Sequence, residues 1–268
     1  MCELFGISSA TPTRVHYSLE EFSKHGGLTH MNKSGWGISY YQDRDALLFK
    51  EAAPASDSRL VQFIADQELS SRCVIAHVRR ASIGKDKLEN THPFHREVGG
   101  YVHVFAHNGS LPDLEAAMPL DGRFTPVGET DSEHAFCALL DRLVRERPDT
   151  SQLPVQARMS VVAEFARELR GIGTANFLYF DGDTLFAHAH KRSYDDGGVL
   201  SEPRAPGLSI ANRSEILTSG LRVTATDRDT RSVMLASVPL TPEGWSPLEE
   251  GAVVALRAGC LVDQINPS

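Results

Sequence analysis

Cysteine is scarce in this chain, with four among 268 residues, at positions 2, 73, 137 and 260. Their scattered positions fit neither a disulfide framework nor a zinc-ligand spacing, so reduced thiols in a cytoplasmic setting are the expectation. Long apolar runs are missing as well. No stretch approaches the roughly 20 residues needed to cross a bilayer, and no basic segment followed by an apolar run marks a secretory leader. Positive charge is in deficit: 27 Lys and Arg against 35 Asp and Glu leave a formal charge of −8, which argues against a nucleic-acid surface. There is no Pro-, Gly- or Ser-rich linker, no internal repeat and no low-complexity tract. One domain over residues 1–268 is therefore expected, with no nucleic-acid and no membrane partner.

What is present is an ordinary globular composition, 41% hydrophobic and 23% charged, in a chain long enough to bury a proper core. Strand-like runs recur: CELFGIS, WGISYY, ALLFKE, CVIAHVRR, YVHVFAH, ANFLYF, TLFAHAH, LRVTAT, SVMLASVPL and AVVALRAGCLV. Asp181-Gly182-Asp183 and Ala258-Gly259 read as tight hairpin turns. Ala135, Phe136, Leu139, Leu140, Leu143 and Val144 recur at helical spacing, with Thr130 and Glu133 placed for a capping box and Pro148 beyond the end. A second helix is expected on Val155, Met159, Val162, Phe165 and Leu169, closed by Gly171. Shorter helices are expected near 15–25 and 57–67, the latter capped by Asp57 or Ser58. The stretch 190–206 reads as a surface loop. Many antiparallel-looking strands with a few amphipathic helices imply an α+β fold whose sheet faces are covered by helices.

Four short stretches carry candidate chemistry, each with a plainer alternative. Cys2 directly follows the initiator methionine. Removal of Met1 would give one residue both a thiol and a free α-amine, whose pKa near 8 suits it to take the thiol proton; the alternative is an ordinary strand start. In AHVRRASIG (76–84), Arg79 or Arg80 offers a fork for a substrate carboxylate, or the two form a solvated basic pair at a strand end. In AHNGSL (106–111), the Asn108 amide and the Gly109 main-chain N–H are two donors suited to a developing oxyanion, or Asn-Gly is a hairpin turn. In GETDSEHAF (128–136), Asp131 faces a pocket, or sits at a helix start where the dipole favours a carboxylate.

The ordered set MCELFG, AHVRRASIG, NTHPF (90–94), AHNGS and GETDSE resembles the class II glutamine amidotransferases, which are N-terminal-nucleophile hydrolases. MCELFGIS, GWGISYY (35–41), NFLYFDGDTLFAHAHKR and LASVPL resemble the stand-alone YafJ-type branch of that family. The resemblance implies an αββα four-layer sandwich with Cys2 at the end of a central strand. It implies that Cys2 attacks the glutamine side-chain amide, that Asn108 and Gly109 hold the tetrahedral intermediate, and that ammonia and glutamate leave by way of a γ-glutamyl thioester. Arg79 and Asp131 would then bind the α-carboxylate and α-ammonium. Ser82 would add a hydroxyl contact, and His92 with Pro93 would support the site. His107 lies beside Asn108 as an accessory candidate.

This chain departs from the larger synthases of the class, having Arg80 and Ile83 where they carry Trp and His. Arg80 adds a second positive charge that would suit a longer or more anionic substrate. The length is taken up by the amidohydrolase fold, so ammonia would pass to a separate accepting protein, or the enzyme is simply a hydrolase. A second enzymatic reading keeps the fold and removes a γ-glutamyl group from a larger amide conjugate, as in ergothioneine biosynthesis. Two other readings are a metal-binding protein built on the 11 histidines and a catalytically inert binding module. No cofactor and no metal is expected.

Overall fold

The computed structural model describes residues 2–14, 22–28, 32–67, 69–81, 84–146, 153–194, 199–212, 224–225 and 230–267. Met1, Ser82, Ile83 and Pro148 lie outside the described residues. So do residues 15–21 of the first expected helix, most of the LRVTAT run, and 195–198 of the expected surface loop.

The first sheet is built on β1 (Glu3–Arg14), β2 (Trp36–Gln42), β3 (Asp45–Glu51) and β4 (Ser70–Val78). The second is built on β5 (Phe94–Val98), β6 (Tyr101–Ser110), β7 (Thr174–Phe180) and β8 (Leu185–His188). The C-terminal part supplies both. β9 (Ser209–Asn212), β10 (Thr224–Ala225), β11 (Ser232–Ala236) and β12 (Ser246–Pro247) join the first sheet. β13 (Val253–Arg257) and β14 (Cys260–Ile265) join the second. The order is β12-β9-β11-β1-β4-β2-β3 in one sheet, with β10 on β1, and β14-β13-β8-β7-β6-β5 in the other. The described helices are α1 (Arg59–Asp66), α2 (Leu114–Ala117), α3 (Asp131–Glu146) and α4 (Val155–Ile172).

Strand alternation explains the layering, because successive side chains point to opposite faces. Leu4, Ile75, Ala106, Leu178, Leu235 and Val254 meet between the two sheets. Their chain neighbours Phe5, Ala76 and Met234 face outward and pack with Val61 and Ile64 of α1. On the far side, Phe105, Phe177, Tyr179 and Phe186 pack against Phe136, Leu139, Phe165 and Leu169 of α3 and α4. The result is the expected αββα sandwich, each such side chain contributing about 1.5–3 kcal/mol through burial. No described helix is long and apolar enough to cross a membrane.

Four local expectations change. Asn108-Gly109 is not a turn: β6 continues to Ser110, with Asn108 opposite Asn176 and Gly109 opposite Ala175. The second long helix closes at Gly173, whose N–H bonds Leu169 O at 2.9 Å, two residues past Gly171. The hairpin expected at Asp181-Gly182-Asp183 forms, but its loop takes in Thr184 as well, because the Asp181 carboxylate accepts the N–H of both Asp183 and Thr184, at 3.0 and 2.8 Å. The capping box forms by half: Glu133 N donates to Thr130 Oγ1 at 3.2 Å, while the Glu133 carboxylate turns to Gly128 N and Arg96. The Ala258-Gly259 hairpin turn forms as expected, both residues having positive φ, 47° and 71°. Ser58 caps α1 through Val61 N at 3.1 Å.

Candidate active site

Because β1 and β4 run antiparallel with Glu3 opposite Val78, the head of β1 lies beside the residues that follow β4. There the peptide of Arg80 grips the Cys2 thiol: Arg80 N donates to Sγ at 3.1 Å, and the thiol donates to Arg80 O at 3.2 Å. Arg80 thus acts on Cys2 through its main chain, whatever its side chain does. Burial pushes the Cys2 thiol up from its ordinary range, opposed by the Arg80 backbone hydrogen bond and by the charge of Arg79. A thiol so placed is protonated near neutrality and needs a base to become a nucleophile.

The second sheet brings its own donor. Asn108 Nδ2 makes a short hydrogen bond to the Cys2 carbonyl. An amide nitrogen carries two hydrogens, so this bond leaves one for a ligand. Asn108 Oδ1 is buried without a hydrogen-bond partner. Next along β6, a Cβ on Gly109 would stand 1.9 Å from Thr174 O and 2.8 Å from His107 Nε2. Only glycine lets β6 close on β7 at the end of the strand where Asn108 meets Cys2.

The remaining candidates fall into two groups. Arg79, 3% exposed, directs its guanidinium to the loop that follows it and to the segment before β2, donating to Lys85 O, Gly84 O, the Asp86 carboxylate and Ser34 O at 3.2–3.3 Å. Neither arginine is the solvated pair of the plainer reading, since Arg79 is buried and Arg80 half-buried. Asp131 does open α3, as a dipole-favoured carboxylate would. Its Oδ1 accepts Ser132 N at 2.7 Å, and its Oδ2 accepts Leu111 N, just past the end of β6, at 2.8 Å. The helix is thereby tied to the strand that carries Asn108 and Gly109. His107 lies behind the same strand, between Ser132 Oγ at 2.9 Å and Thr174 O at 3.4 Å. Burial pulls its pKa down, against the charge of Asp131.

His92 lies between His77 and Phe94, with ring centroids 4.2 and 4.4 Å away and the rings tilted by 39° and 56°. Its ring nitrogens and those of His77 are buried with no hydrogen-bond partner. Burial draws His92 well below the ordinary histidine range and His77 to about 3, so both rings are neutral. Among the described residues, no group of three or more His, Cys, Asp or Glu is arranged to hold a metal ion.

Sequence reasoning passed over several neighbours. His77 lies inside the AHVRR stretch. Glu3 is 3% exposed and bonds His25 Nδ1 at 2.6 Å and Asn32 Nδ2 at 3.1 Å. Asn176 is fully buried in β7. The available signal was a polar residue set into an apolar strand run, as in CELFGIS and ANFLYF, where burial demands a partner.

A four-layer sandwich with a gripped thiol at the head of a central strand is the layout of an amidotransferase of the N-terminal-nucleophile type, and a family match makes the assignment specific. The family model for class II glutamine amidotransferases matches residues 1–268; the chain belongs to that family. It is 40% identical to YafJ of Escherichia coli (strain K12) over 188 residues, 70% of this chain and 72% of that protein. A Haemophilus influenzae glutamine amidotransferase homologue is 31% identical over 263 residues, 97% of this chain and 85% of its own. The crystal structure of a "predicted glutamine amidotransferase" from Pseudomonas aeruginosa PA01 superposes with a TM-score of 0.70 at 32% identity, covering 98% of this chain and 100% of that one. Glutamine phosphoribosylpyrophosphate amidotransferase from B. subtilis shares the fold, at TM-score 0.61 and 16% identity, across 98% of this chain and 49% of its own.

Proposed function

We propose that this chain hydrolyses the side-chain amide of glutamine, with Cys2 as the nucleophile after removal of Met1. The observation that carries the reading is the meeting of three groups across two sheets: the Cys2 sulfur in the grip of the Arg80 peptide, and the Asn108 amide against the Cys2 carbonyl. Family membership adds glutamine as the substrate class.

In this reading the freed α-amine of Cys2 takes the thiol proton, supplying the base that a raised thiol pKa calls for. Sulfur attacks the amide carbon, and the electron pair of the C=O moves to oxygen. The second Asn108 amide hydrogen and the Gly109 N–H stabilise that oxyanion; losing one such donor typically costs about 100- to 1,000-fold in rate. Collapse breaks the C–N bond, and the proton held by the amine goes to the departing nitrogen, which leaves as ammonia. Water then adds to the thioester carbon, releasing glutamate and restoring the thiol.

The head group is recognised by charge. The substrate α-carboxylate exchanges with the Asp86 carboxylate on Arg79, because Asp86 is the anion there and its side chain is 55% exposed. The α-ammonium meets Asp131, whose oxygens keep lone pairs beyond the main-chain bonds they accept. Ser82, outside the described residues, adds a hydroxyl contact to the substrate in this reading. His92 supports the site through packing and His107 through hydrogen bonds, rather than by proton transfer, both being buried and neutral. No cofactor enters this scheme.

Purified protein is expected to release ammonia and glutamate from L-glutamine in equal amounts. After treatment with 6-diazo-5-oxo-L-norleucine, intact mass and N-terminal sequencing are expected to find one adduct, on a chain beginning at Cys2. Absence of turnover, or a label on another residue, refutes the reading.

A further inference from the structure

Asn108 can serve an oxyanion only if the second sheet holds it at a set distance from Cys2, which belongs to the first. The Asn108–Cys2 bond crosses between the sheets at this end, and its spacing depends on what holds the two strands together. One buried segment reaches both sides. Asn176 Nδ2 donates to Asn108 O at 3.2 Å and to Lys191 O at 2.8 Å, and Asn176 Oδ1 accepts His190 N at 2.7 Å. Two residues further on, Arg192 Nη1 donates to Ser237 O. Ser237 in turn clamps the strand that starts with the nucleophile: Leu4 N donates to Ser237 Oγ at 2.9 Å, and Ser237 N donates to Leu4 O at 3.0 Å.

We propose that Asn176, Arg192 and Ser237 form a bracket around residues 190–192 that sets the position of the Asn108 amide relative to Cys2; none of the three touches the reacting atoms, and all are positioning residues. A separate observation supports the bracket. Gly207 is buried, and its φ is not in the left-handed region, so its backbone does not require glycine. A Cβ there would stand 1.7 Å from Asn176 Oδ1 and 2.8 Å from His190 O. The glycine is explained by the space Asn176 and residue 190 occupy. Burial supports the same view: Asn176 is 0% and Arg192 9% exposed, and the Asn176 amide makes bonds through both its nitrogen and its oxygen, while Arg192 is held through Nη1 with its Nε unbonded. This reassigns part of the 190–206 stretch from surface loop to interior scaffold.

The inference uses the glutamine-hydrolysis reading for its kinetic test but not for its structural one. Asn176→Asp keeps the acceptor for His190 N and removes both donated bonds; Gly207→Ala pushes on Asn176 without changing a polar group. For each variant, kcat with glutamine is expected to fall about 100-fold, the scale of a misplacement near 1 Å. KM should stay within about twofold, and iodoacetamide should alkylate Cys2 at the parent rate, since the thiol grip is untouched. Arg192→Lys, which can still reach a carbonyl, should recover most of the rate lost in Arg192→Met. Crystal structures of both Asn176→Asp and Gly207→Ala should show the Asn108 amide displaced from the Cys2 carbonyl. A parent-like kcat, or an unmoved Asn108 in both structures, overturns the bracket. If the parent itself releases no ammonia, the proposed function fails, and the crystal structures still decide the bracket. A variant that unfolds leaves the decision to the other.

Discussion

Two buried polar clusters differ in what they leave open. In the loop after β7, Arg158 of α4 bonds the carboxylates of Asp181 and Asp183, and Asp183 also meets Arg257 Nε at 2.8 Å. The charges there are paired with one another, and of the Arg158 guanidinium only Nε is buried without a hydrogen-bond partner. Around Cys2, by contrast, Asn108 Oδ1 and the four ring nitrogens of His77 and His92 are buried without hydrogen-bond partners. Desolvating a polar group without a partner costs on the order of 1–3 kcal/mol, so the second cluster is held at the expense of stability. The difference is that one cluster ties helix to hairpin through ion pairs, whereas the other leaves buried bonding capacity unused by the protein.

The comparison can be broken in four ways. The largest effect belongs to Cys2→Ala, expected to abolish glutamine turnover while circular dichroism and thermal midpoint stay near the parent; measurable turnover would remove the nucleophile from the scheme. Next is Arg158→Met. Leaving two carboxylates beside one another with their buried partner gone should cost about 3–5 kcal/mol in urea unfolding, with kcat of the folded protein unchanged. Equal loss of activity and stability would mean the two clusters are coupled.

The third test is acid. His77 and His92 have folded pKa values below their unfolded value near 6.5, so the unfolded chain takes up protons first as pH falls. Their contribution to stability is intact above about 6.5 and is lost progressively below it, down toward about 3 for His77. His77→Phe should flatten the pH dependence of the urea midpoint between those limits; an unchanged slope would show that these rings do not titrate on unfolding. The smallest effect is expected at Glu168→Gln on the partly exposed Arg142–Glu168 pair, whose two bonds are 2.8 and 2.7 Å. Exposed pairs contribute about 0–1 kcal/mol, so a larger loss would show that charge pairing outside the clusters matters more than burial predicts.

Much of the fold was legible because its signals are local. Alternation in WGISYY and YVHVFAH, the helical spacing from Ala135 to Leu143, and Ser58 before α1 each depend on a few neighbouring residues. Asn108-Gly109 was ambiguous for the same reason: the dipeptide favours a turn, and only the pairing of β6 with β7 overrides it. The ordered motifs marked Cys2, Arg79, Asn108, Gly109 and Asp131; the structure bonds Asn108, the neighbour of Gly109, to Cys2 and ties Asp131 to Leu111, two residues past Gly109. Arg79 differs, because the loop carbonyls that enclose it are set by chain geometry and carry no side-chain signature.

Residue order alone determined which groups are on offer: a thiol directly after Met1, an Asn-Gly pair, and carboxylates and guanidiniums in a family-specific order. Tertiary structure decided how they are used. It set the Arg80 main chain against the Cys2 thiol, turned Asn108 toward the Cys2 carbonyl, and brought Asn176, Arg192 and Ser237 from distant stretches to bond the same buried segments. The physical reason is range. Propensity and periodicity act over a few residues, whereas a hydrogen bond within a buried interior is chosen by whichever donors and acceptors the packed sheets bring within about 3 Å.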